Sequence, residues 1–438
     1  MEYDIEEKAG PIKCYVFLTD AITSIGGGQI YTSNKKKYLE ERGWEVFIFS
    51  SIDTGEILVP ELEPHKNGIY PILRISPSIL RKELIKKTIE KILQSINSIY
   101  SEICVECHST TLALWGELLS KELNAKCFVY LLSENFNCFS SEMLNYFQFK
   151  LERKELAGIS KNSLSLLFKN QKKLTSDEQY YLRANLGDVV SDVHCDFIDT
   201  FTRGDITIGS IGRLNKGYVP VMVDDVVEFA KSNSSKMIQL ILVGDTENSL
   251  LKAEIQNKVR EVSNLSVLVV GSLFPLPKAL LDLFDLNIGS AGSARLAAFH
   301  GIPTIALDVV DYKPIGILGF ETNSTLYREK NYTSSLPEII QKILGNLEYY
   351  NDIQNWKFPI KMNNPSDAYD KHMNFLNSSD QTKDYYNFEY KSLKLNELLK
   401  KYLIILIGVS NYTRLTNNTK FMSIYSKAKK WSISLKSR

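Results

Sequence analysis

Two cations, Arg213 and Lys216, follow the apolar run 206–211 in "GSIGRLNKGY", and two hydroxyls bracket a small turn, Ser290-Ala291-Gly292-Ser293, in "NIGSAGSARLAAFHGIPTIA" (287–306). The first pattern suits a diphosphate, which an arginine grips with two parallel hydrogen bonds while a lysine acts as a point charge. The second places backbone N–H groups and hydroxyls at the start of a helix, a ready phosphate cradle. The bland alternatives are two solvated side chains, and a tight strand-to-helix turn with serine as its cap. A third glycine-rich stretch, "SIGGGQIYTS" (24–33), carries Gly26, Gly27 and Gly28. Without Cβ atoms the chain there can turn sharply and approach a ligand closely, with Gly28 and Gln29 opening a helix toward an anion; a turn without a ligand is the competing explanation.

The stretch "ICVECHSTT" (103–111) holds Cys-x-x-Cys-His, the spacing of a c-type haem attachment. Cys104 and Cys107 stand an odd number of residues apart in an apolar strand, so they point to opposite faces. No second Cys/His pair of suitable spacing offers zinc its remaining ligands, because His65, His194, His300 and His372 are scattered. Two readings of His108 are left: a packed structural histidine, or a group placed at the end of a strand to meet a ligand. Glu134, in "LLSENF", is the acid/base carboxylate that an alternative chemistry would use.

These residues need elements to hold them, and the second half of the chain supplies a regular alternation. Strand-like runs at 206–211, 238–243, 266–270, 286–289 and 303–307 are separated by helical stretches at 219–231, 247–262 and 277–284, and by one from Ser293. Unbroken runs of four to six apolar residues fit strands buried on both faces of a parallel sheet. The N-terminal half repeats the theme: 14–19, "EVFIFSS", "EICVEC" and 126–132 read as strands, with a helix over 112–123 whose Leu112, Trp115 and Leu119 share a face. Two Rossmann-like α/β domains are therefore expected, 1–200 and 201–375, followed by a helical, basic tail over 376–438. In such sheets ligands bind beyond the carboxyl ends of the strands, where Gly26, His108, Glu134, Arg213, Gly244 and Ser290 all fall.

Composition sets the class. The chain has 438 residues with a formal net charge of +1, so nothing points to nucleic acid. Six irregularly spaced cysteines and an N-terminal "MEYDIEEKAG" without a signal pattern lead to the expectation of a reducing, cytoplasmic setting. The apolar run "YLIILIGV" spans 8 residues, short of the roughly 20 a spanning helix needs. The charge is uneven, however. From Lys391 to Arg438 there are eleven Lys or Arg and a single acid, Glu397, a local net charge of +10. Such a stretch is either a solvated tail or an attraction to anionic lipid at the inner face of the plasma membrane.

Taken in order, the glycine loop, the histidine after a middle strand, "GRLNKG", "LILVGD" and "NIGSAGSARLAAFHGIPTIAL" resemble GT-B glycosyltransferases, most of all the retaining family-4 type, over roughly residues 14–325. The resemblance implies two Rossmann-like domains facing across a cleft. It also implies transfer of a sugar from a nucleotide diphosphosugar to a hydroxyl acceptor, without metal or other cofactor. By match, Arg213 and Lys216 take the donor diphosphate, Gly26 to Gly28 face it, and His108 lies near the donor sugar. Two departures stand out. "RLNKG" is about two residues shorter than the common form, and the paired glutamates of family 4 are replaced by Ser290, Ala291, Gly292, Ser293 and Leu296. That segment is closer to the Ser/Gly-rich phosphate segment of other GT-B transferases. A lipid-linked or cell-surface glycan is the expected acceptor. A sugar-nucleotide epimerase of the same fold and a non-catalytic partner subunit are the alternatives. A nicotinamide dehydrogenase is disfavoured because "GGGQIYTS" lacks the G-x-G-x-x-G spacing.

Overall fold

The computed structural model describes residues 12–417 except 53–54, 97, 133–140, 160–163, 165–166, 169–179, 185–188, 247, 329–331, 356–364, 380–383 and 389–394. The chain divides into two compact units. One comprises Met1–Ser24, Gly28–Asn185 and Pro365–Arg438; the other comprises Ile25–Gly27 and Leu186–Asn364. The divisions thus fall earlier than the sequence suggests, and the described residues from 365 to 417 group with the first unit rather than forming a separate tail.

In the first unit, β1 (Lys13–Ala21), β2 (Trp44–Ile52), β3 (Glu102–Cys107), β4 (Lys126–Leu131) and β5 (Leu156–Gly158) form a parallel sheet in the order β2-β1-β3-β4-β5. Helices α1 (Gly27–Glu40), α2 (Lys82–Ser95), α3 (Thr110–Leu123) and α4 (Ser141–Glu152) lie between the strands in sequence. The apolar runs are continuous because both sheet faces are covered: Cys14 through Leu18 are fully buried. Leu112, Trp115 and Leu119 enter this core together, and the Trp115 indole N–H donates to the Ile75 carbonyl at 2.9 Å. Asn124, at φ 52°, ends α3 in the left-handed conformation that asparagine tolerates. Three short 3-10 turns, Pro60–Gly68, Pro71–Arg74 and Pro77–Ile79, each open on proline, whose fixed φ suits a helical start.

The second unit holds β6 (Val190–Ser191), β7 (Ile206–Ile211), β8 (Ile238–Val243), β9 (Leu265–Gly271), β10 (Leu276–Pro277), β11 (Leu286–Gly289), β12 (Thr304–Leu307) and β13 (Pro314–Ile317). Six of these make one sheet, β13-β12-β11-β7-β8-β9, parallel except for the β12–β13 pair; β10 and β6 pair separately. Its helices are α5 (Tyr218–Ser232), α6 (Ser249–Arg260), α7 (Ala291–Phe299), α8 (Leu336–Gly345) and α9 (Leu347–Asn355). Local chemistry fixes the starts: Asn248 caps α6, and Ser335 with Glu338 forms a reciprocal capping box on α8. The helix expected over 277–284 is a single turn, Lys278–Leu281, since Leu276–Pro277 is drawn into pairing with β6.

The chain then returns to the first unit through α10 (Pro365–Asn377), α11 (Leu395–Ile407) and α12 (Val409–Asn417). Aromatic packing anchors α10: the His372 ring lies 4.7 Å from that of Tyr130, and Phe375 lies 5.9 Å from Phe128. Further on, the Tyr386 amide donates to Glu117 at 2.6 Å, and Glu117 is itself paired with buried Lys150. The C-terminal segment therefore adds to the first unit's polar network as well as covering its apolar surface. Replacing Glu117 by Ala leaves Lys150 paired with Glu155 alone and frees the Tyr386 amide; a loss of roughly 2–4 kcal/mol in urea unfolding is expected, and an unchanged midpoint would contradict this account.

Candidate functional site

In the second unit, strand order reverses between β7 and β11: β8 follows β7 on one side, whereas β11 lies on the other. Open parallel sheets bind ligands at such a reversal, outside the carboxyl ends of the two strands. The register pairs Ile208 with Leu286 and Gly209 with Asn287, so both strands end level, at Ile211 and Gly289. The turn with Arg213 and Lys216 and the turn 290–293 leave from this edge side by side. Gly244 follows β8, the next strand over.

Backbone geometry holds these turns together. Gly212 has φ 144° and Gly244 φ 154°, values that residues with a Cβ rarely adopt. A Cβ on Gly244 would lie 2.0 Å from the Gly212 carbonyl oxygen, so only glycine lets the two turns touch. The Gly212 amide donates to Val243 at 2.8 Å and the Leu214 amide to Asp245 at 3.1 Å, tying the turn after β7 to the turn after β8. Arg213 is exposed and makes no ion pair among the described residues. The Lys216 ammonium stands 5.8 Å above the Tyr218 ring.

At the other turn Ser290 occupies the N-cap of α7 without bonding a helix amide through its side chain, and instead its carbonyl accepts the Ser293 hydroxyl at 3.0 Å. Ala291, at φ 56°, donates its amide to Thr325 at 2.8 Å. The amides of Gly292 and Ser293 fall in the first helical turn, where no earlier helical carbonyl serves them. They carry the partial positive charge of the helix start. Below them Asn287 is fully buried, and neither its side-chain nitrogen nor its oxygen has a partner among the described residues. An orphaned amide of this kind costs about 1–3 kcal/mol, and it marks this strand end as polar for a reason other than packing.

In the first unit the residues after β1 and β3 were the expectation. Gln29 donates its side-chain N–H to the Thr23 carbonyl at 3.0 Å, which braces the glycine loop rather than presenting the amide outward. Gly27, the first residue of α1, is exposed; Gly26 precedes it. A Cβ on Gly28 would meet only Leu132, at an ordinary 3.8 Å, so close approach is not forced there. Glu134 lies outside the described residues.

His108 is 2% exposed, and both ring nitrogens are occupied. Nε2 donates to Glu106 at 2.9 Å, and Nδ1 lies 3.0 Å from the Thr19 hydroxyl. Glu106 is the centre of the arrangement and was not singled out by sequence. Its carboxylate also accepts Tyr31 at 2.7 Å, Tyr15, and the ammonium of Lys35, with Lys35 and Glu106 both fully buried. Burial opposes ionisation of Glu106, but Lys35 and His108 outweigh it and hold the carboxyl well below the usual range. His372 completes the group, with Nδ1 3.1 Å from the Tyr31 hydroxyl and Nε2 donating to the Arg183 carbonyl at 3.3 Å. Burial, then the nearby Lys35 charge, push His372 down to about 3, against a small opposing pull from Glu106. The signal that could have revealed this network is a lone acid inside the apolar run "EICVEC", facing a lysine one helical turn after Tyr31.

The structure thus brings Arg213, Lys216, Gly244 and Ser290 to Ser293 to one sheet edge, and places His108 in a closed polar core. No protein-family model matches the chain, and no curated protein matches its sequence. Its backbone is similar to solved structures. Anabaena HepE, in complex with UDP and glucose, aligns with TM-score 0.55 at 13% identity over 82% of this chain and 99% of that one. A Rickettsia africae glycosyltransferase aligns with TM-score 0.52 at 17% identity, over 91% and 99%. A Listeria monocytogenes protein described as a UDP-N-acetylglucosamine 2-epimerase aligns with TM-score 0.51 at 14% identity, over 86% and 100%. The fold is GT-B.

Three outcomes follow from the geometry. Gly244→Ala should both lower the melting temperature and loosen the turn carrying Arg213; a crystal structure with the turn unmoved would refute the close-approach argument. Glu106→Ala leaves Lys35 buried without its counter-charge and should cost about 3–5 kcal/mol in urea unfolding. His372 has a folded-state pKa below its ordinary 6.5, so its neutral form contributes stability that is full above about 6.5 and erodes as pH falls toward 3. Across that window wild-type stability should fall more steeply than that of His372→Gln, by up to ~1.4 kcal/mol per pH unit; equal slopes would rule this out.

Proposed function

We propose that this chain is a glycosyltransferase that moves a sugar from a nucleotide diphosphosugar to a hydroxyl acceptor, with the donor diphosphate held in the second unit. The observation that carries the proposal is the convergence, at the β7/β11 strand reversal, of Arg213, Lys216 and the first-turn amides of α7. The likeness in fold to HepE, a protein crystallised with UDP and with UDP-glucose, supports it.

In this mechanism the glycosidic bond to the β-phosphate breaks and negative charge grows on the departing diphosphate. Preorganised donors aimed at that charge lower the barrier most. Arg213 chelates two phosphate oxygens, Lys216 adds a point charge, and the amides of Gly292 and Ser293 cap the phosphate at the helix start. Ser290 and Ala291 shape the turn, Gly244 keeps it in place, and Asn287 beneath it is available to a ligand-bound water or polar group. Gly26 and the first turn of α1, Gly27, Gly28 and Gln29, are assigned to the donor. His108 is a positioning residue in this scheme: it holds Thr19 at the end of β1, and a hydrogen bond from its ring to the sugar requires release of Thr19. Retention of anomeric configuration and kinship with family 4 rest on the sequence resemblance. The acceptor is a lipid-linked or cell-surface glycan, and the enzyme works in the cytoplasm beside the inner face of the plasma membrane; the basic residues of 391–438 support that setting. No described helix is long and apolar enough to cross a membrane.

The likeness to the Listeria protein favours a second chemistry, epimerisation of the sugar while it stays on the nucleotide, with Glu134 as acid/base group. Exchange of a donor-sugar proton with solvent, abolished in Glu134→Gln, would select it. Absence of the paired glutamates makes a non-catalytic partner subunit the third case; it predicts nucleotide binding without donor turnover on any lipid acceptor.

Thermal shift with UDP, GDP, TDP and CMP tests the shared premise. One nucleoside diphosphate at a hundred times its dissociation constant should add ~2.7 kcal/mol of stability. Arg213→Ala and Lys216→Ala should each weaken that binding by about tenfold or more. A chain that no nucleotide stabilises, or an Arg213→Ala variant that binds as wild type, would remove the basis for the assignment.

A further inference from the structure

Five of the fourteen large hydrophobic side chains exposed among the described residues fall on one helix, α11: Leu399, Tyr402, Leu403, Ile405 and Leu406. Leu399, Tyr402, Leu403 and Leu406 follow the i, i+3, i+4, i+7 spacing of a single helix face. Leu399 and Tyr402 are each 63% exposed and Leu406 is 83% exposed, whereas Ile404, on the opposite side, is buried in the first unit's core. The helix is clamped from behind. It packs on the turn Pro77–Ile79, and α12 packs on Pro71–Arg74 with Val409 and Tyr412 against the same core. A firmly held helix thus turns an apolar stripe outward, a costly arrangement in water.

Charge identifies what covers the stripe. Lys400 lies on one flank, half-buried, where its long stem can run along apolar surface while the ammonium reaches outward. Glu397 is the sole acid from the start of α11 to residue 438, and residues 418–438 add six further Lys or Arg. Apolar face, a flanking lysine, an aromatic with a polar tip and a basic extension together match an anionic lipid surface: the aliphatic groups enter the acyl boundary and the cations meet headgroup phosphates. At 13 residues the helix is about 20 Å long, enough to lie along a surface and too short to span one.

We propose that α11 is a membrane-docking helix, seating the first unit on an anionic bilayer through Leu399, Tyr402, Leu403 and Leu406, with Lys400 at the headgroups. This locates the membrane contact of the function proposed above, but it needs nothing from the donor site, and the two fail separately.

The test is co-sedimentation of the full chain with vesicles of phosphatidylcholine alone, or of phosphatidylcholine and phosphatidylglycerol in equal parts, with the nucleotide thermal shift read in parallel. Wild type should bind the anionic vesicles and do so less well as salt rises. Leu399→Glu/Leu406→Glu should weaken binding by at least about tenfold, with the melting temperature and any nucleotide shift unchanged. Lys400→Gln, which alters a partly exposed charge, should weaken it by about fivefold and flatten the salt dependence. Wild type that stays in the supernatant, or a Leu399→Glu/Leu406→Glu variant that sediments as wild type does, would overturn the proposal. Equal binding to neutral vesicles would overturn the anionic assignment. Light scattering that shows a wild-type dimer broken by the leucine changes, with no change in vesicle binding, would give the face to a second copy instead.

Discussion

The ion pair between Lys35 and Glu106 is the constraint around which the first unit is organised. Both charges are wholly shielded from water, a state that costs several kcal/mol per ion unless geometry and hydrogen bonds compensate. Here they do: one carboxylate oxygen meets Tyr15 and Lys35, the other Tyr31 and His108, which uses the group's full accepting capacity. The partners come from β1, α1 and β3, so the pair fixes how α1 lies on the sheet. The glycine loop between β1 and α1 inherits its shape from that placement, with Gln29 bracing it from within.

The second unit treats polar groups in the opposite way. Arg213 is left in solvent, and the order at its turn comes from backbone contacts that only two glycines with unusual φ permit. A site meant to receive an anion gains from this division: the cation makes no ion pair among the described residues, while its attachment point is rigid. Asn287, buried without a partner among the described residues, belongs to the same set of groups held ready.

Much of this was legible in the sequence. The strands at 206–211, 238–243 and 286–289 fall where the mostly apolar runs put them, because a strand covered on both faces is apolar along most of its length. The short strands β5 and β13 and the 3-10 turns escaped because a few residues carry no periodicity. At the site, the Arg213 turn and the 290–293 turn were recognisable from residue types at strand ends. What sequence could not show was the inside of the histidine's environment. Cys-x-x-Cys-His drew the eye to His108 as a ligand, whereas the decisive neighbour was Glu106, two residues earlier and on the same face of β3. Its partners Lys35 and His372 stand far away in the chain, and no local pattern links them. The C-terminal boundary was placed too late for a similar reason: the partners of α10, Tyr130 and Phe128, stand far away in the chain.

That return of the chain has a consequence for the order of assembly. The second unit is nearly contiguous, complete once residue 364 has been synthesised, whereas the first waits for α10 and the segment holding Tyr386. A growing polypeptide therefore has its later half able to settle before its earlier half is finished. Until His372 arrives, the buried charge at Lys35 and Glu106 lies under an open wall, so the start of the protein is the last part of it to become dry.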